Sequence, residues 1–290
     1  MDYGKLLGRA WNIIWEHRFL ILLGVLVALG GAGWGGNVNL NVSLPRGDVR
    51  GFDFRLPYPE ELGLPTGFVA VAAIVLVGIA LIIGIVLWAI STIARGGLIA
   101  GVNAIESGAP SDFGGAWRAG WEKGWRLLGI GVLPAIPSFI LGLGVAAAFV
   151  GLYLFKVETT PRLTNIGLVA PLVALACILV PVAVVLSALR TFANRACMLE
   201  NLGVLASYRR GVEVLLENFG PALVLFLLQV AISIGLGIVL FLPGVVTALC
   251  CVLWPVLLLI QGAMASYFST LWTLAWREWT GLGHAGGIVA

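Results

Sequence analysis

Apolar residues along this chain gather into long runs separated by short charged segments. Charge-free runs extend from Phe19 to the glycine cluster at 30–36, from Gly67 to Ala94, from Leu127 to Phe155, from Leu163 to Leu189 and from Asn218 to Trp276. A helix needs roughly 20 apolar residues to cross about 30 Å of hydrocarbon. Each of the first four runs suits one crossing. The last is about two crossings long, and Phe241-Leu242-Pro243-Gly244 supplies turn chemistry near its middle. The pattern predicts an all-α membrane fold, one polytopic domain over 1–290 with about six transmembrane helices. Their expected bounds are approximately 19–36, 67–94, 127–155, 163–189, 219–242 and 244–276, with an external loop at 37–66.

The segments before the odd-numbered spans carry a different period. Tyr3, Leu7, Trp11 (or Ala10) and Ile14 fall on one helical face, and Lys5, Arg9, Asn12 and Glu16 on the other. Before the third span, Phe113, Trp117, Trp121 and Trp125 form a stripe at i, i+4. Arg118, Glu122 and Arg126 run beside it at the same pitch, spaced to pair in sequence. Such amphipathic lead-in helices suit the cytoplasmic interface, because an indole combines an apolar ring with one polar N–H, or tuck between the spans as an inner collar.

The lead-ins also share a register. Trp11, Trp15 and Glu16 have the spacing of Trp117, Trp121 and Glu122, and of Val212, Leu216 and Glu217. Arg95, Arg190 and Arg277 each close an even-numbered span, and Arg95 to Glu122 is the same separation as Arg190 to Glu217. The chain therefore reads as three hairpin-like repeats, each a lead-in helix, a span, an external turn and a returning span. The second apolar helix, followed from Phe68 to about Ser107, would be roughly 60 Å long. It either projects beyond the bilayer or breaks at Gly96-Gly97. In the external loop, Val38, Leu40, Val42 and Leu44 alternate with polar residues, Pro45-Arg46-Gly47-Asp48 has turn chemistry, and Phe52, Phe54 and Leu56 alternate again. That period-2 pattern predicts a small β-hairpin at 37–56.

Composition reinforces the membrane reading. The chain is 60% hydrophobic and 11% charged, against about 25% charged in soluble domains. Basic residues set the orientation. With the N-terminus inside, twelve (Lys5, Arg9, Arg18, Arg95, Arg118, Lys123, Arg126, Arg190, Arg195, Arg209, Arg210 and Arg277) are cytoplasmic and five external, as the positive-inside rule requires. Both termini are then cytoplasmic, and the expected location is the cell inner membrane. Asp2 and Glu16 argue against a cleaved signal peptide. The net charge of +3 is dispersed, so no nucleic-acid footprint is expected.

Candidate chemistry is sparse. Glu16, Glu122 and Glu217 stand at one place in each repeat and Arg95, Arg190 and Arg277 at another. They are the candidate polar ring beneath the membrane, either structural ion pairs or a ligand site. Inside the spans, Gln229 and Gln261 are the candidate polar residues, expected to join the last two helices by hydrogen bonds. No ionisable group falls in mid-span, which disfavours ion-coupled transport. Prolines at 134, 137, 171, 181 and 255 are candidate kinks. Cys177, Cys197, Cys250 and Cys251 lack metal-ligand spacing, and His17 and His284 are the only histidines. No catalytic residue, cofactor or metal is expected, and no nucleophile–base pair or phosphate loop motif is present.

The lead-in Ala10-Trp11…Trp15-Glu16, the glycine cluster after the first span and the stretch Arg190-Thr191…Glu200-Asn201…Arg210-Gly211-Val212-Glu213 together carry a resemblance. The chain is similar to uncharacterised bacterial and archaeal six-helix membrane proteins, loosely akin to the membrane domain of some glycerophosphodiester phosphodiesterases. The resemblance implies a prokaryotic cytoplasmic membrane and lends no catalytic residues. Three functions stay open. One is a non-catalytic scaffold or accessory protein organising membrane lipid, a partner membrane protein or a homo-oligomer. Another is a permease or channel for an amphiphilic substrate, lined by Gln229 and Gln261. The third is a lipid-headgroup enzyme dependent on Glu122 or Glu217.

Overall fold

Two kinds of sequence segment give two kinds of helix in the computed structural model, which describes residues 2–31, 66–137, 139–144, 170–249 and 254–282. The first kind is short, with one face buried. Helix α1 (Tyr3–Glu16) starts where the Asp2 carboxylate accepts from the amides of Gly4 and Lys5, satisfying donors that a helix N-terminus leaves free. It buries Leu6, Ala10, Ile13 and Ile14. Ala10, not Trp11, takes the inner position, and Trp11 and Trp15 face outward. The chain then turns through 99° at His17 into α2 (Phe19–Gly31).

The second kind is long and apolar. Helix α3 (Thr66–Glu106) is one continuous rod of 41 residues, so the break considered at Gly96-Gly97 does not occur. Those glycines instead admit α4 (Phe113–Glu122), which Asp112 caps through the amide of Gly115 at 3.1 Å. A Cβ on Gly97 would lie 2.9 Å from the Ala116 carbonyl oxygen. Helix α5 (Gly124–Val132) follows after one residue, interrupting the aromatic stripe between Trp121 and Trp125. At Leu133-Pro134 the axis bends by 45° into the stretch Ala135–Gly144, as expected where a proline removes a helical hydrogen bond.

Helix α6 (Ala170–Leu199) carries Pro181 without ending. After a short turn comes α7 (Val204–Glu217), burying Ser207, Tyr208, Gly211 and Val214. Helix α8 (Phe219–Leu249) runs through Pro243-Gly244, which corrects the turn expected there. A membrane helix tolerates proline where neighbours satisfy the freed carbonyl. The last helix, α9 (Trp254–Trp279), therefore starts about ten residues later than the hairpin reading placed it. Among the described residues every element is helical. The β-hairpin expected at 37–56 lies outside them.

The short helices and the ends of the long ones meet in a packed end. Helix α2 lies between α3 and α9. A Cβ on Gly262 would come 2.6–2.8 Å from Val25 atoms, so these backbones touch. Ser266 Oγ donates to the Leu20 carbonyl at 2.7 Å, and Ser91 Oγ donates to the Val27 carbonyl at 2.9 Å. Small residues that allow close approach, with hydroxyls bonding across it, are how apolar helices associate without a hydrophobic driving force.

Three buried clusters complete this end. Ile13, Leu20, Leu23, Ala94, Leu98 and Ala116 join α1 to α4. Ile99, Leu127, Ile130, Cys197 and Tyr208 join α3, α5, α6 and α7. Phe192, Leu225, Leu271, Trp272 and Trp276 join α6, α8 and α9. The core is thus a collar built from the C-terminal parts of α3, α6 and α9, the N-terminal parts of α2 and α8, and the short helices. Beyond it the long helices present apolar side chains outward, among them Leu76 (66% exposed) and Ile238 (72%). Among the described residues four helices are long and apolar enough to cross a membrane, or up to six spans if each bent pair is one.

Candidate functional site

Polar groups concentrate in the collar, and most are tied to neighbouring elements. Arg9 on α1 pairs with Glu106 at the end of α3 at 2.9 Å. Lys123 Nζ, at the α4–α5 junction, donates to the Met198 carbonyl at 2.9 Å. Arg126 Nη1 donates to Asn201, to its side-chain oxygen at 3.0 Å and its carbonyl at 3.2 Å. Asn201 has a φ of 55°, a left-handed conformation that asparagine tolerates better than most residues. Arg210 joins Glu200 at 3.1 Å. Arg195 is buried and donates to the Ser269 carbonyl at 3.0 Å, linking α6 to α9.

The six residues of the candidate ring do not form a ring of ion pairs. Glu16, Glu122 and Glu217 are the last residues of α1, α4 and α7, and all three are exposed. Glu122 pairs along its own helix with Arg118 at 3.3 Å. Among the described residues no ion pair joins any of these glutamates to Arg95, Arg190 or Arg277. The physical reason is position around the helix axis: a helix end brings a residue to the right height, but here each glutamate sits on the outward face.

Arg277 is buried and donates to Asn103, through both its side-chain oxygen and its carbonyl, to Ser107 Oγ and to the Leu282 carbonyl. It closes α9 onto the end of α3. Arg95 and Arg190 lie on α3 and α6, which pack together, within electrostatic reach of one another. The Nε of each is buried without a hydrogen-bond partner among the described residues. Arg190 lies over Gly131, where an added Cβ would stand 2.9 Å from Nη2 and 3.0 Å from the Trp88 ring. Tyr208, on α7, is within electrostatic reach of Arg190. Its hydroxyl donates to the Ile130 carbonyl at 2.8 Å, and burial pushes the phenol up to about 12.

Of the intramembrane pair, Gln229 accepts a hydrogen bond from Trp272 Nε1 at 2.6 Å, joining α8 to α9. Gln261 is partly buried on α9 and is not Gln229's partner. Sequence reasoning missed Asn103, Arg195 and Asn201 as polar partners. The only available signal was that Arg195 follows Arg190 in a segment with no acid before Glu200.

Among the described residues the fold is all-helical, with a packed polar collar and several helices apolar enough to span a membrane, the pattern of a multi-pass membrane protein. A family model described as a family of unknown function (DUF7544) matches residues 14–287, and the chain belongs to that family. No curated protein and no solved structure matches it.

Proposed function

We propose that the chain is a non-catalytic scaffold of the cell inner membrane, with both termini and the collar on the cytoplasmic side, organising membrane lipid or a partner membrane protein. One observation carries this reading. The interior packing and all twelve of the basic residues expected inside belong to one end, while the outer parts of α3, α6, α8 and α9 offer apolar side chains that only lipid or another apolar surface can cover. The hydrogen bonds of the collar link elements to one another, which suits a rigid platform. The three lead-in helices end at Glu16, Glu122 and Glu217 and turn directly into apolar helices, which supports reading the chain as three amphipathic-helix repeats. Outward-facing Trp11, Trp15, Trp121 and Trp125 suit the headgroup layer. Kinship with the membrane domain of glycerophosphodiester phosphodiesterases is part of this proposal and rests on the lead-in residues, the glycine cluster after the first span and the stretch from Arg190 to Glu213.

Two measurements test it. In a background lacking the native cysteines, Ala109→Cys in the α3–α4 loop, an exposed position, should react with a membrane-impermeant maleimide only after cells are permeabilised. Labelling in intact cells would invert the topology. In proteoliposomes carrying a fluorescent phospholipid, dithionite should reach the inner leaflet no faster than in protein-free vesicles. Rapid bleaching of the inner leaflet would replace the scaffold by a lipid pathway.

A further inference from the structure

Two cations buried side by side in a membrane helix bundle need compensation. Moving one guanidinium out of water is costly, and a like-charged neighbour raises the cost. Arg95 and Arg190 approach that situation: each side chain is partly buried, and its enclosed Nε has no hydrogen-bond partner among the described residues. The acids of the surrounding helices are engaged elsewhere: Glu106 with Arg9, Glu122 with Arg118, Glu200 with Arg210, and Glu213 with Arg209 and Arg210. Helix α5 carries no acid, and Glu217 is exposed with no ion pair among the described residues.

The height of the pair along the bundle is informative. On α3, Ile85 and Val86 are exposed and apolar, whereas residues from Ser91 to Leu98 are largely buried in the collar. On α6, Val185 is exposed and Phe192 is buried. Arg95 and Arg190 therefore both stand near the border where lipid-facing surface gives way to packed collar. In a bilayer that is the level of the lipid phosphates. Arginine's planar fork of donors matches the oxygens of a phosphate and holds it better than an ammonium does.

We propose that Arg95 and Arg190 form a binding site for a phosphate group, presented by a phospholipid headgroup or by free phosphate, where α3, α5, α6 and α7 meet. Gly131 and Trp88 shape it. The missing side chain at 131 gives the Arg190 guanidinium its place, and the Trp88 ring lies against the same space. The choice of a lipid source rests on reading the collar as the membrane interface; the phosphate chemistry does not.

The test uses the full chain in detergent, so its outcome is independent of orientation in cells and is distinguishable from failure of the maleimide experiment. Thermal unfolding is followed against dioctanoyl phosphatidylglycerol, inorganic phosphate and, as the phosphate-free comparator, dioctanoylglycerol. The expected result is a saturable rise in midpoint with a phosphate-bearing probe and none with dioctanoylglycerol. Response to phosphatidylglycerol alone assigns the lipid source, and response to inorganic phosphate assigns the free ion. Arg95→Gln should raise the half-saturating concentration at least tenfold, while Arg118→Gln, on the exposed face of α4, should leave it unchanged. Should Arg95→Gln fail to fold, Gly131→Ala displaces the Arg190 guanidinium without removing a charge and should weaken binding in the same sense. A wild-type chain that shows no saturable response to either phosphate, or equal response to dioctanoylglycerol, overturns the proposal. So does wild-type affinity in both Arg95→Gln and Gly131→Ala.

Discussion

Replacing Gly262 by alanine asks whether α2 is held against α9 by contact of their backbones. The new Cβ would lie 2.6 Å from Val25 Cγ2, 2.7 Å from its amide nitrogen and 2.8 Å from its Cα. Two of these atoms are main chain, so rotating a side chain cannot relieve the overlap, and the helices must part by roughly 0.7 Å to reach ordinary contact. Overpacking of this kind costs about 1–3 kcal/mol. Parting the helices also stretches the bond from Ser266 Oγ to the Leu20 carbonyl, now 2.7 Å, with a further loss of about 1 kcal/mol. Alanine's better helix propensity offsets about 1 kcal/mol. A net destabilisation of about 1–3 kcal/mol is expected, which lowers the unfolding midpoint by about 2–5 °C for a chain of this size. The assay is thermal unfolding of the detergent-purified protein by intrinsic fluorescence. Gly8→Ala, where nothing lies within 4 Å of the added methyl group, is the reference and should be neutral or slightly stabilising. Gly24→Ala probes the same crossing from the other helix, and the double variant should lose less than the two single losses together. If Gly262→Ala unfolds at or above the wild-type midpoint, the α2–α9 contact does not exist and the account of the central helix fails.

Arg277→Ala should destabilise by about 3 kcal/mol or more, because hydrogen bonds to a charged group contribute about 1.5–3 kcal/mol each. Arg277→Lys should not restore the midpoint, since an ammonium cannot span Asn103, Ser107 and Leu282 together. Tyr208→Phe should cost about 1 kcal/mol through the bond to Ile130. Tyr208 ionises higher in the folded protein, at about 12 rather than 10.0. Its stabilisation is then full below pH 10 and is lost as pH rises towards 12, so the gap between wild type and Tyr208→Phe should shrink only in that window. Trp276→Ala, at a fully buried site, should cost about 3–5 kcal/mol. Trp125→Ala, at a residue 87% exposed, should stay within about 0.5 kcal/mol in detergent, as unfolding curves of the two variants would show.

The apolar runs and the positions where lead-in helices end were legible because both are written in local order. Hydropathy summed along α3 or α8 needs no knowledge of neighbours, and the aspartates before α1 and α4 act on amides two or three residues away. Turn chemistry was a weaker guide. Pro243-Gly244 reads as a turn in water, yet α8 passes through it. Gly96-Gly97 reads as a break, yet it serves as a landing place for Gly120, whose added Cβ would stand 2.7 Å from the Gly97 amide. A glycine's meaning depends on whether another backbone arrives there, and that information is absent from the local sequence.

The same distinction governs the polar residues. Sequence alone determined that the chain is helical, that several helices are apolar enough to span a bilayer, and that its charges cluster at the ends of apolar runs. It did so because these properties sum along the chain. The tertiary structure alone decided that Arg277 meets Asn103 rather than a glutamate, that Gln229 meets Trp272 rather than Gln261, and that Arg95 and Arg190 come within electrostatic reach of each other. Partner choice follows from rotation about each helix axis and from where helices cross, and those are set by packing between residues far apart in the chain.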